Sequence, residues 1–215
     1  MRAHQQQNGF TIVEIIAVLA VVALLGVILL PWQQREKARA ERINCANQLK
    51  SVGLAFRLWS SDSSDKYPVQ VEISREGAME WIQTGHVAGV FLVMSNELST
   101  PKILSCPADY LRVMASSFDN GLSNSNVSYF IGVDAEETQP QMLLLGDDNF
   151  LVNGQPVRPG VVSLATNAPV AWSTARHNQQ GNIALADGSV HTLSSSKLRE
   201  SLSWGGTNVI RLAFP

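Results

Sequence analysis

From Gly9 to Leu30 the chain reads GFTIVEIIAVLAVVALLGVILL, and Pro31 follows at once. Beyond Gly9 the run is apolar apart from Thr11 and Glu14. About 20 apolar residues in a helix, each rising about 1.5 Å, cross a hydrocarbon core of about 30 Å. No other stretch of the 215 residues approaches that length, so the remainder reads as what this helix carries or assembles. Glu14 is the ionisable exception. A charged side chain near the centre of a spanning helix costs about 2.5–3.5 kcal/mol and marks function by default. Near a helix start it can instead snorkel to the headgroups and favour the positive helix end. Burial physics alone leaves both readings open.

A secretory signal is cleaved after its apolar run, at small residues. Here the run passes into LLPWQQ, which offers no such site, whereas Gly9-Phe10 puts a small residue in front of it. Gly9, Phe10, Thr11, Ile12, Val13 and Glu14 resemble, position by position, the prepilin leader of type IV pilins and type II secretion pseudopilins. That leader is a Gly, then usually Phe, then Thr-Leu/Ile-Val-Glu and a long apolar helix. The resemblance implies that a prepilin peptidase cuts between Gly9 and Phe10 and N-methylates Phe10. It also implies that the new positive terminus pairs with Glu14 of a neighbouring subunit in a fibre. A desolvated pair of this kind fixes register more reliably than it adds stability.

The expected organisation is a leader over 1–9, a transmembrane and fibre-core helix over 10–31, a soluble continuation over 32–61 and a globular head over 62–215. The leader requires the short end to be cytoplasmic, which makes the chain a single-pass inner-membrane protein with a periplasmic head. The flanking charges taken alone favour the opposite orientation: Arg2 stands before the run, and Arg35, Lys37, Arg39 and Arg42 follow it against Glu36 and Glu41.

Composition bounds the head. The chain is 45% hydrophobic and 16% charged with formal net charge −2, and without a basic block nucleic acid is not an expected partner. Roughly 180 residues beyond the run suffice for one core. Cys45 and Cys106 are either a disulfide of an exported domain or two buried thiols, and spacing does not choose between them. Without a paired C-x-x-C, zinc is not expected.

Pro31 predicts a kink in the long helix. Beyond it, Ile43, Ala46, Leu49, Val52, Phe56 and Trp59 recur at steps of three and four, an apolar stripe that packs on the head, with Gly53 permitting close approach. SSDSSDKYP ends the helix. Residues 80–94 combine a partly helical pattern around Trp81 with a β-like run, VAGVFLVM. Strands are predicted over 127–133, 141–146 and 161–165, with a turn at Asn153-Gly154 after Leu151-Val152. Ile183 to Ala186 and Ser189 to Leu193 flank Asp187-Gly188 as a hairpin with a two-residue loop. A short helix over 196–202 and a closing strand, NVIRLAF, complete an α+β fold in which the kinked N-terminal helix packs on an antiparallel sheet.

A second resemblance covers the head. Cys45, Asn47, Leu49, Lys50, Val52, Gly53, Leu54 and Ala55 are similar to the C-x-N-x-L-K-x-[IV]-G-L-A segment of a pilin-like group of exported bacterial proteins. The Cys106-Pro107-Ala108-Asp109 step matches that group's C-P-[AS]-D, and Arg176, His177, Asn178, Gly181, Asp187 and Gly188 match its H-x9-D-G element.

Asp147, Asp148, His177 and Asp187 are the head's candidate site. One reading is a Ca²⁺ site built from Asp147, Asp148 and loop carbonyls, since hard cations take several oxygens. Major pseudopilins as a class carry calcium in a C-terminal loop, but no dense D-x-D-x-D run stands here. The other reading has Asp147 and Asp187 bonding backbone in turns while His177 pins the hairpin loop, with no cofactor. Ser173, His177 and Asp187 can be written as a triad, yet no nucleophile elbow accompanies them, so no enzyme is expected. Trp81, Trp172 and Trp204 can be a carbohydrate-binding face or simply core.

The function expected is structural: a pseudopilin of a type II secretion system, its partners being prepilin peptidase, other pilin or pseudopilin subunits and inner-membrane lipid. The alternatives are a type IV pilus subunit for adhesion or motility, and a membrane-anchored surface-binding protein that does not polymerise.

Overall fold

The computed structural model describes residues 11–119 and 121–215, and over residues 28–35 the helical backbone alone. Gly9 and Phe10, with the leader before them, lie outside the described residues. Two compact units form, Met1–Ala40 and Glu41–Pro215.

Helix α1, Ile12–Asp62, begins in the first unit and ends in the second. Its helical backbone continues through Pro31, the position at which the sequence predicts a kink. Among the described residues no helix is long and apolar enough to cross a membrane. The described side chains of the apolar run stop at Val27; Ile28, Leu29 and Leu30 lie outside them.

In the second unit the packed face of α1 is Cys45, Leu49, Val52, Ala55, Phe56 and Trp59. The predicted stripe is right from Leu49 onward but starts wrongly, because Ile43 is 51% exposed and Cys45 takes the core position. Gly53 is buried, yet a Cβ there would meet only Ala184 Cβ, at 3.9 Å.

Three short helices follow: α2 (Met79–Gln83), α3 (Val87–Val93) and α4 (Ser95–Leu98). The run predicted as β-like is therefore helical. Val87, Ala88, Gly89, Val90 and Phe91 are all buried, and a run buried on every side carries no periodicity that separates helix from strand. Gly89 decides the local packing, since a Cβ there would stand 2.6 Å from the Trp81 ring.

Among the described residues nine strands form two antiparallel sheets. They are β1 (Tyr129–Gly132), β2 (Leu143–Asp147), β3 (Phe150–Val152), β4 (Gln155–Pro156), β5 (Gly160–Ala165), β6 (Val170–Trp172), β7 (Gln180–Leu185), β8 (Val190–Ser194) and β9 (Val209–Phe214). The six-stranded sheet has the order β5-β9-β1-β2-β7-β8, and a three-stranded sheet has the order β4-β3-β6. Helix α5, Ser195–Ser201, follows β8 and is capped by Ser194.

Strand alternation sends side chains to opposite faces, and here both faces are covered. Tyr129 and Ile131 join the core beneath α1, α2 and α3, whereas Phe130 between them joins a second core with Phe150, Trp172, Phe214 and Leu198. Burial on both faces explains why β1 and β2 read as unbroken apolar runs.

The Asn153-Gly154 turn falls where predicted, with both residues at positive φ, 53° and 74°, but the strand it returns into is β4, whereas the predicted strand at 161–165 pairs with β9. The Asp187-Gly188 hairpin differs: its loop is three residues, Ala186 to Gly188. Leu185 N–H donates to Ser189 O at 2.9 Å, and Gly188 N–H donates to Leu185 O at 2.9 Å. Gly188, at φ +82°, supplies the left-handed residue that such a loop requires.

Candidate functional site

At its start α1 is closed by a reciprocal cap. The Glu14 carboxylate accepts from the Thr11 N–H and hydroxyl, each at 2.8 Å, and the Glu14 N–H donates to Thr11 Oγ1 at 3.3 Å. This is the T-x-x-E capping box, which satisfies two helix-end donors at once. The sequence carries this signal, and the reading of Glu14 at the positive helix end agrees with it, though the pairing with Thr11 is not part of that reading. Glu14 therefore has a local role at the helix end besides the one its apolar setting suggests.

The four head residues grouped as the candidate site do not all converge. Asp147 and His177 come together; Asp148 and Asp187 go elsewhere. Asp148, next in sequence to Asp147, points the other way along the strand end and meets two guanidiniums. Arg112 Nη2 lies 2.5 Å from Asp148 Oδ2, and Arg176 pairs with Asp148 Oδ1. Arg176 also reaches Asp109 Oδ2 at 3.0 Å, and Ser128 donates to the same oxygen at 2.8 Å. This closed network of two carboxylates and two guanidiniums ties the loop after Cys106 to the turn before β7. Asp109 and Arg176 lie in the C-P-[AS]-D and H-x9-D-G segments, and their contact joins those two segments in space.

His177 and Asp187 stand at opposite ends of β7. The six residues Gln180–Leu185, at about 3.4 Å each, separate them by about 20 Å. Their spacing of ten is thus the length of a strand and its flanks, and it makes no shared site. Asp187 organises its own loop: Oδ1 accepts the Ser189 N–H at 2.8 Å, and its carbonyl accepts from Arg57 of α1 at 3.1 Å. Tyr67 donates to the neighbouring Ala186 carbonyl at 2.7 Å. His177 does not pin this loop, and the Ser173–His177–Asp187 triad is not assembled. The three tryptophans do not share a face either: Trp172 is in the second core, with Trp204 packed against that core and edge-on to His191, whereas Trp81 packs on the first.

What His177 meets instead is Cys106, Cys45 and Asp147. One donor atom from each of these four residues lies within 4.8 Å of every other. Cys45 Sγ donates to Asp147 Oδ1 at 3.1 Å; Cys106 Sγ and His177 Nε2 are 3.3 Å apart; His177 Nε2 and Asp147 Oδ2 are 3.6 Å apart. Both cysteines are free and buried, so the disulfide option is not the arrangement found. Asp147 is fully buried, and its Oδ2 accepts from the Asn182 backbone N–H at 2.7 Å and from Asn182 Nδ2 at 3.0 Å. Asn182 is itself fixed by Thr192, which donates to its Oδ1 at 2.7 Å.

The elements explain the convergence. Cys45 opens the packed face of α1, Asp147 ends β2, and Cys106 follows the short 3-10 helix Pro101–Leu104. His177 sits in a left-handed turn: His177, Asn178 and Gln179 have φ of 54°, 53° and 61°. Positive φ costs a non-glycine residue about 1–3 kcal/mol and persists only where the surroundings impose it. Buried Asn149 does so here, donating to the carbonyls of Arg176 and Gln180 that bracket the turn, each at 3.4 Å.

Electrostatics follow from burial and contact. Burial pushes the Cys45 thiol well up, and its hydrogen bond with Cys106 adds to that. The same hydrogen bond, which outweighs burial and is helped by His177, lowers the Cys106 thiol to about 6. Burial alone would lower the His177 imidazole, but Cys106 and then Asp147 overcome it and hold its pKa above the usual value. The pocket thus favours thiolate at Cys106. No local spacing signals the quartet, because each residue comes from a different element.

A long N-terminal helix and an antiparallel head define an α+β protein of pilin-like architecture. The family model described as the prokaryotic N-terminal methylation motif matches residues 4–30. No curated protein and no solved structure matches the chain. The methylation motif supports a subunit of the pilin and pseudopilin type in general, with a structural role, processed by prepilin peptidase and assembled with other such subunits.

Proposed function

We propose that the chain is a type II secretion pseudopilin, cut between Gly9 and Phe10 and assembled into a fibre through the apolar part of α1. One observation carries the reading: residues 4–30 match the methylation motif, and within that segment the described side chains from Ile12 through Leu24 are exposed, outside the head's core. A helix apolar all round is stable only when surrounded by lipid or by other helices. In this reading the run is held in the inner membrane as a single span before assembly, with the head outside the cytoplasm. Glu14, capping its own helix in the free subunit, exchanges the Thr11 amide for the methylated terminus of a neighbour. The resemblance of the head to the H-x9-D-G group places no further demand on the assembly.

The test is Glu14→Gln, measured as incorporation into sheared surface fibres and, separately, as membrane insertion. Loss of incorporation with insertion intact is the expected outcome; incorporation at the wild-type level contradicts it. Deleting the gene separates the finer readings, because a pseudopilin is needed for release of exported enzymes whereas a pilus subunit is needed for surface attachment.

A further inference from the structure

The geometry points to a structural Zn²⁺ site in the head, ligated by Cys45 Sγ, Cys106 Sγ, Asp147 Oδ and His177 Nε2. A tetrahedron with bonds of about 2.0–2.3 Å to N, O and S has edges of about 3.3–3.8 Å. The contacts Cys45 Sγ–Asp147 Oδ1, Cys106 Sγ–His177 Nε2 and His177 Nε2–Asp147 Oδ2, at 3.1, 3.3 and 3.6 Å, are near those edges. One donor atom from each residue lies within 4.8 Å of every other, so binding draws the four together around one carboxylate oxygen. Two thiolates and an imidazole are the donors of a thiophilic cation such as zinc, whereas Ca²⁺ takes six to eight oxygens and finds one carboxylate here. The acidic neighbours that calcium would need, Asp148 and Asp187, are committed to arginines and to a hairpin loop.

Three further observations favour a metal. Asp147 is a fully buried carboxylate, a group that interiors tolerate when it is paired or coordinates a metal. Its orientation is set from outside the quartet by Asn182, and that of Asn182 by Thr192, which is the supporting shell a ligand requires. The left-handed turn at 177–179, braced by Asn149, leaves Nε2 of His177 3.3 Å from Cys106 Sγ and 3.6 Å from Asp147 Oδ2. Four protein ligands, all buried, leave no open position, so the role is structural and not catalytic. The ion would join the packed face of α1 to the end of β2, the loop after Leu104 and the turn before β7, fastening the helix to the sheet.

The test uses the full-length chain, purified in detergent without chelator. The expected result is one zinc per chain by elemental mass spectrometry. Replacement with Co²⁺ should give the visible bands of a tetrahedral ion and thiolate charge-transfer absorption in the near ultraviolet. Cys106→Ser and His177→Ala should lower retained zinc at least tenfold, and Asn182→Ala, which removes no ligand, should weaken affinity about 10–100-fold. Because Co²⁺ spectra are read on the wild-type chain, a variant that fails to fold leaves the test intact. Cobalt binding without thiolate charge transfer overturns the assignment. So does a Cys45–Cys106 disulfide found by peptide mapping under non-reducing conditions, or zinc retained in full by the Cys45→Ser/Cys106→Ser variant.

Discussion

Helix α1 contains two regions that are both rich in apolar residues and that meet opposite fates. From Ile12 to Leu24 its large apolar side chains are exposed, Ile12 by 77% and Leu24 by 65%. From Cys45 to Phe56 the apolar positions on one face are fully or almost fully buried. The difference lies in arrangement more than in amount. The first region is apolar on every side, so no single sheet can cover it, and it needs lipid or several helices. The second buries one apolar stripe, and its other side is charged or polar apart from exposed Leu54, so one sheet face satisfies it. One continuous helix thus divides its work: its beginning is for association and its end is for folding.

That division is open to direct attack. Phe56 packs edge-to-face against Tyr67 and Phe91, with ring centroids 5.6 and 6.3 Å away. Phe56→Ala should destabilise the head by about 3–5 kcal/mol, read as the midpoint of denaturant unfolding of the full chain in detergent. Gly53→Ala should act in the opposite direction. A methyl fits against Ala184 at 3.9 Å, and replacing a mid-helix glycine gains about 1 kcal/mol of helix propensity; a lower midpoint would show that the helix–sheet approach is tighter than this geometry. Leu19→Ala should leave head stability within about 0.5 kcal/mol while reducing fibre yield. A Leu19→Ala loss comparable to that of Phe56→Ala would erase the distinction between the two regions.

The smallest effect concerns acid. Burial alone would raise the Asp187 carboxyl, but the Ser189 hydroxyl and amide outweigh it and hold its pKa below the usual range. A depressed carboxylate contributes stability above its unfolded pKa, about 3.9, and loses it as pH falls through the lower folded value. Asp187→Asn should therefore lower stability slightly at neutrality, where that contribution is present, and change little well below about pH 4, so that the acid decline is flatter, as followed by thermal melts across pH.

Much of this fold was legible from residue order. The stripe from Leu49 to Trp59, the strands around Phe130, Leu144 and Ile183, the Asn153-Gly154 turn and the last helix and strand all follow from period and turn chemistry. The failures have physical causes. VAGVFLVM has β-branched residues and no polar face; Val87 to Phe91 are buried, and the close approach of Trp81 to Gly89 is a tertiary contact that no local pattern reveals. Ile43 fits the stripe's spacing, yet the buried face begins two residues later, at Cys45. In the candidate site, adjacent Asp147 and Asp148 were read as a pair, although successive residues at a strand end face opposite ways. The regular separation of His177 and Asp187 was read as proximity when it measures a strand. The quartet of Cys45, Cys106, Asp147 and His177 was out of reach of any spacing rule, because tertiary structure alone assembles it.

The division of α1 rests on the apolar region being kept in the finished molecule, and the mass of the mature N-terminus tests that most directly. Protein isolated from membranes or sheared fibres should begin at Phe10, its amine carrying one methyl group, with Ile12 to Leu30 intact behind it. A chain that still begins at Met1, or one that begins beyond Trp32, would contradict the account.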